Sequence, residues 1–243
     1  MKRTERHHLK TNEIESLTRQ ARDLVETRPR EVTAAIVAVV VIGAGALGYY
    51  AWQQHIQGRA HDLLAQAIAV ENARVAPPIA PGGTAVVVPG SYASEQARAE
   101  AAIVKLKAVA DAYPSTDAGL FARYQQAAML VSIGRAPEAA SLYDDVIKRA
   151  GDGFYGQVSR LGLAEAHART GQFDQAINGF KELAQRKDGP LPVDGILMHL
   201  GQTYLEAGKK TDAQQTFNRL VEEYPNSPYT AEARQQLDTL KKT

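Results

Sequence analysis

The chain has 243 residues, with 28 Lys and Arg against 27 Asp and Glu for a formal net charge of +1, and no cysteine. The missing thiols exclude disulfides, thiolate metal centres and lipidation at an N-terminal cysteine, and the charge balance excludes the basic surface that nucleic-acid binding needs. Beyond residue 52 there are 20 basic and 21 acidic side chains, so the larger part of the chain is close to neutral.

Residues 1–31 form a short tail. Asn12 can cap a helix in which Ile14, Leu17, Ala21, Leu24 and Val25 make one apolar stripe among charges. Such a helix suits the inner leaflet of a membrane or a partner surface, and it serves equally as a plain solvated segment. His7 and His8 are adjacent but lack further ligands at a suitable spacing, so neither a metal nor a cofactor is expected.

Residues 32–52 carry no charged side chain. As a helix they span about 31 Å, the thickness of a bilayer's hydrocarbon core. Tyr49, Tyr50 and Trp52 fall at one end, where aromatic rings favour the headgroup boundary. Arg19, Arg22, Arg28 and Arg30 precede the run, and only Arg59 lies within a comparable distance beyond it, which keeps the tail in the cytoplasm and exports the remainder. Ala34, Ala38, Gly45 and Gly48 share one helical face suited to packing against another membrane helix, although small residues are also simply common in such helices.

Two other readings compete for this run. Ala44 and Ala46 have the small-residue spacing of a signal-peptide cleavage site, but the preceding 31 residues mix eight basic with six acidic side chains, unlike a compact basic leader. Val37 to Ile42, then Gly43, Gly45 and Gly48, with Glu71 further on, also have the outline of a dinucleotide-binding fingerprint. An NAD(P)-dependent oxidoreductase of that kind needs a parallel sheet, and the later sequence shows no alternation of strands and helices.

The rest of the chain is a repeat. Ala102, Ala139, Ala176 and Ala213 recur at a fixed step of 37 residues, accompanied by Leu106, Tyr143, Phe180 and Phe217 and then by Val109, Val146, Leu183 and Leu220. Gly134, Gly171 and Gly208 each precede one of the alanines by five residues, and Pro114 and Pro225 lie 111 residues apart, three of the same steps. Apolar spacings of three and four predict two helices per unit with the glycine at the turn between them. In the last unit Gly201 and Ala213 are small enough for the helices to approach, Tyr204 and Phe217 fill the space beside them, and Pro225 stops the second helix. Residues 53–118 form a degenerate first unit interrupted by a Pro- and Gly-rich insertion at 75–94, read as a mobile loop. Residues 119–228 hold three units, and 229–243 a polar capping helix ending in Lys241 and Lys242.

These residues resemble the tetratricopeptide repeat, whose period is about 34 residues. The surplus is expected in the turns around 151–153 and 187–190. The resemblance implies an all-α fold: a single N-terminal transmembrane helix followed by an α-solenoid of helix pairs with a C-terminal cap. In this family the first helix of each unit lines the inner face, which places Tyr124, Ala128, Leu161, Glu165, Arg169, Met198, Gln202 and Glu206 in a protein-binding groove. Members that grip acidic chaperone tails carry Lys and Asn at the fifth and ninth positions of the unit. Here Tyr124, Leu161 and Met198 stand at the fifth and Ala128, Glu165 and Gln202 at the ninth, which argues against such a clamp. A groove of this kind suits an apolar or extended peptide, and the same residues also suit packing between units. No constellation of nucleophile, base and orienting group is visible, so neither an enzyme nor a small-molecule substrate is expected. His167 takes the place of Tyr204 and reads as a packing residue, while Asp144 with Asp145 and Glu222 with Glu223 read as solvated helix faces.

A short cytoplasmic tail, one membrane helix and an exported repeat domain with Tyr224 to Tyr229 as a late turn resemble the ancillary subunit of the bacterial Sec translocon. That resemblance implies a bacterial inner-membrane protein, its repeat domain in the periplasm, whose partners are translocon subunits, periplasmic chaperones or exported clients. Self-association is compatible with it. The late turn is also similar to repeat proteins of outer-membrane barrel assembly and of envelope constriction at division, so an envelope-assembly or cell-division scaffold is the alternative.

Overall fold

The computed structural model describes residues 28–76, 89–186 and 189–242. The stretch from Asn12 to Val25, the His7 and His8 pair, most of the 75–94 insertion, and Lys187 with Asp188 lie outside the described residues. Among the described residues there are nine helices: α1 (Pro29–Glu71), α2 (Glu95–Ala112), α3 (Asp117–Ser132), α4 (Ala136–Ala150), α5 (Phe154–Arg169), α6 (Phe173–Gln185), α7 (Val193–Glu206), α8 (Lys210–Glu223) and α9 (Thr230–Leu240). The chain divides into two units, Met1–His55 and Ile56–Thr243.

In the first unit, α1 contains an 18-residue window of mean hydropathy 2.2, none of it buried. Val39 is 69% exposed and Ile42 70%. Gly43, Gly45 and Gly48 sit in the interior of this helix, and Val37 to Ile42 are helical too. A dinucleotide fingerprint needs a strand that ends in a tight glycine turn, with the pyrophosphate at the exposed N–H groups of a new helix. Mid-helix N–H groups are already bonded to carbonyls one turn back, so the nucleotide reading is overturned.

The second unit begins within the same helix. Ala60, Leu64 and Ala67 share a buried cluster with Leu106, Val109 and Ala110 of α2 and with Ala118 and Ala122 of α3. The pairs α3 with α4, α5 with α6 and α7 with α8 come next, and α9 closes on α8. The repeated alanines Ala102, Ala139, Ala176 and Ala213 are all 0% exposed. The second helices α4, α6 and α8 are sharply one-sided in their apolar residues, as expected of helices with one face in solvent. Helix α5, which packs on both α4 and α6, shows no such polarity because more of its circumference is covered.

The turn glycines end the first helices. Gly134, Gly171 and Gly208 have φ of 82°, 75° and 73°, a left-handed conformation that side chains resist. In the first case the Gly134 N–H donates to the Val131 carbonyl at 3.1 Å and the Arg135 N–H to the Leu130 carbonyl at 2.8 Å, and the same two bonds recur after α5 and α7. This pair of bonds is the Schellman motif, which satisfies carbonyls that the helix end would leave bare.

The extra length departs from the expectation in the first full unit and agrees with it in the second. Only 151–153 separate α4 from α5, so the first full unit is long because its helices run to 16 and 15 residues. In the second unit α6 has 13 residues, and the excess lies between Gln185 and Val193.

Arg123 and Arg160 occupy equivalent places in successive units and do the same work. Arg123 donates to the Ala110 carbonyl at 3.2 Å and pairs with Asp111 at 3.1 Å and Asp145 at 2.9 Å, its side chain 15% exposed. Arg160 donates to the Gly151 carbonyl at 2.9 Å and pairs with Asp152 at 3.4 Å. Each guanidinium thus meets the negative end of the preceding second helix and ties one unit to the next. The insertion leaves and re-enters through a narrow neck. The Ala76 N–H donates to the Tyr92 carbonyl at 2.8 Å, and the Tyr92 N–H to the Arg74 carbonyl at 2.9 Å.

Candidate protein-binding groove

Helix α5 touches both α3 and α7, so the first helices of successive units form one continuous inner face. Side chains three and four residues apart on each helix point the same way, which aligns Phe121, Tyr124 and Ala128 on α3 and Leu161, Glu165 and Arg169 on α5. Tyr124, Ala128, Leu161, Glu165 and Gln202 are part-buried, while Arg169 and Glu206 are exposed. Met198 differs. It is 3% exposed in the cluster that also holds Ala233 and Leu237 of the cap, so it packs the core. His167 is part-buried on α5.

Three polar links that the sequence did not point to shape this face. The Gln125 amide donates to Glu71 at 3.1 Å, joining α3 to α1. The Gln202 amide donates to Glu232 at 3.1 Å, joining α7 to α9. His199 Nε2 lies 3.6 Å from Glu165, and its ring stacks on Phe180 with centroids 5.8 Å apart at 10°. Residues 125, 199 and 232 carry no repeat signature, and their partners come from distant parts of the chain, so spacing alone could not have found them.

Aromatic rings line the middle of the groove, and the buried Tyr143 of α4 packs against one of them, Tyr124. Tyr124 and Tyr143 rings lie 5.9 Å apart, Phe121 and Tyr155 rings 6.1 Å, and Phe154 meets Tyr155 edge-on at 5.6 Å. Burial pushes the Tyr124 phenol above the ordinary tyrosine range, and the Glu165 charge adds to the rise. Tyr143 moves the same way for the same leading reason, with Tyr124 and Glu165 adding and Arg169 opposing. Both phenols therefore stay neutral donors at physiological pH. No group of three or more His, Asp or Glu side chains that could hold a metal converges among the described residues.

The sequence matches the Tetratricopeptide repeat-like domain over residues 30–241. The chain belongs to this family. Two solved structures of a Podosopora anserina kinesin light chain with nearly identical TPR-like repeats are similar to it, each at 13% identity. One has a TM-score of 0.58 and covers 77% of this chain and 87% of that one; the other has 0.57, covering 76% and 87%. At that identity the likeness establishes the fold alone. A search among curated protein sequences finds none that matches. A tetratricopeptide repeat-like domain is a protein-binding scaffold, and stacked helix pairs supply its extended inner surface.

Ala34, Ala38, Gly45 and Gly48, the small residues expected to pack membrane helices, are exposed on α1. A methyl group built on Gly45 or Gly48 meets no atom within 4 Å.

Proposed function

We propose that the chain is a single-pass protein of a bacterial inner membrane whose repeats scaffold protein contacts on the periplasmic side, beside the Sec translocon. There they hold newly exported segments or the chaperones that receive them. The observation that carries this reading is the wholly exposed apolar stretch of α1, of mean hydropathy 2.2, which shares a helix with the first buried residues of the repeat unit. Apolar side chains left in water would cost about 25 cal/mol per Å² of exposed area, a cost that a bilayer removes. Tyr49, Tyr50 and Trp52 and the arginines before the span support the orientation with the tail inside. Gly45 and Gly48, facing open space, suit contact with another membrane helix.

The test is photocrosslinking in cells from probes at Gly45, Tyr124 and Gln202, with mass spectrometry of the captured proteins. Channel subunits at Gly45, with exported chains or chaperones at the two groove positions, are the expected outcome. Capture of barrel-assembly or cell-wall proteins moves the scaffold to envelope assembly or division. Release of the protein by alkaline carbonate without detergent removes the membrane anchor.

A further inference from the structure

Glu165 stands apart from the other carboxylates of the groove. Glu71 and Glu232 each accept an amide hydrogen bond, from Gln125 and Gln202. Among the described residues nothing donates a hydrogen bond to Glu165, and the nearest basic side chain, His199, holds its Nε2 3.6 Å away. That separation is too long for a hydrogen bond, and stacking on Phe180 holds the imidazole where it is. Arg169 lies four residues on, at a spacing that normally forms a helical ion pair, yet makes none with Glu165. The carboxylate is half open, its side chain 35% exposed, and its charge acts on the part-buried Tyr124 and on the buried Tyr143.

We propose that this centre is a subsite for one lysine or arginine side chain of an extended peptide, with Glu165 taking the cation, Tyr124 covering its stem, and Phe121, Phe154 and Tyr155 holding an apolar residue further along the peptide. The inference rests on the reading of the inner face as the protein-binding surface. Two independent features point to the same ligand chemistry: a carboxylate without a donor, and ring faces, whose quadrupole attracts cations and whose area attracts the alkyl stem. Phe154, 58% exposed at the start of α5, supplies the apolar contact without rearrangement. Tyr155 and Phe154 lie ten and eleven residues before Glu165, about 15–16 Å along α5, a distance an extended chain covers in about four residues, so the apolar residue stands four positions from the cation. Glu71, Glu206 and Glu232 oppose an acidic segment, and Arg169 is the cationic group beside the subsite.

The experiment uses the full chain in nanodiscs and two fluorescent peptides, Gly-Phe-Ser-Leu-Ser-Lys-Ser-Leu-Ser-Phe-Gly and its analogue with Gln for Lys, with affinities read by anisotropy. The lysine peptide is expected to bind about fivefold tighter, as a half-exposed ion pair with one aromatic contact provides. Glu165→Gln should erase the difference while leaving the glutamine peptide unchanged, and Glu165→Lys should favour a third peptide with Glu at that place. Equal binding of the first two peptides, or a preference that survives Glu165→Gln, overturns the subsite but leaves the groove standing. Failure of every peptide to bind, together with absence of crosslinks from Tyr124, overturns both.

Discussion

Replacing Gly201 with alanine tests the packing of the last unit. Helix propensity alone favours the change by about 1 kcal/mol. The structure opposes it, because a methyl group there would lie 2.4 Å from Cε1, 2.7 Å from Cζ and 2.8 Å from Cδ1 of Phe217. Ordinary contact begins near 3.4 Å, so the ring has to retreat by about 1 Å, and it is 0% exposed within a closed cluster. Overpacking costs about 1–3 kcal/mol, a 1 Å retreat inside a closed cluster belongs to the upper part of that range at about 2–3, and after the propensity gain a net loss of about 1–2 kcal/mol remains. Thermal unfolding followed by helical circular dichroism should show a drop of roughly 5 °C. The decisive comparison is the same substitution made in a Phe217→Leu background. Leucine lacks the Cε1 and Cζ atoms, so Gly201→Ala should there become neutral or stabilising by up to about 1 kcal/mol. The same loss in both backgrounds, or no loss beside phenylalanine, refutes the reasoning.

Other perturbations probe features elsewhere in the fold. Gly171→Ala, at φ of 75°, should cost about 1–2 kcal/mol in a denaturant titration, whereas Gly45→Ala, mid-helix with open space around it, should cost nothing and gain helix propensity. Arg123→Leu leaves Asp111 and Asp145 without their shared partner and uncouples α2 from α4; about 1–2 kcal/mol should be lost, with the faster hydrogen exchange concentrated in 95–150. Asp174 is held below its ordinary 3.8 by the hydrogen bond and charge of Lys209, and Asp152 by Arg186 and then Arg160. A depressed folded value means that this contribution is present above pH 3.8 and fades as pH falls through the folded values. Lys209→Met should therefore lower stability slightly above about pH 4 and leave it unchanged in stronger acid, which flattens the acid limb of the curve measured by thermal melts across pH.

Much of the fold was legible because the repeat repeats its physics. The glycines 134, 171 and 208 announce left-handed turns, and the buried alanines and the aromatic four residues later announce a close helix contact with a filled gap beside it. Gly201 against Phe217 is that contact seen at atomic distance. The site was less legible. Position within a unit predicted Met198 to line the groove, but the last first-helix is bordered by a cap, and Met198 is buried in the cluster that contains the cap's Ala233 and Leu237. Glu71 fitted a ribose-binding role by distance along the chain, while in the fold it receives the Gln125 amide. Periodicity encodes what every unit shares, and a groove is made of what the units do not share.

The neck at Val75 and Tyr92 gives the protein a place where length is free. Because backbone hydrogen bonds fix where the chain departs and returns, the entropy of closing whatever lies between rises only logarithmically with the number of residues added. An epitope spliced between residues 76 and 89 would leave the two neck hydrogen bonds in place.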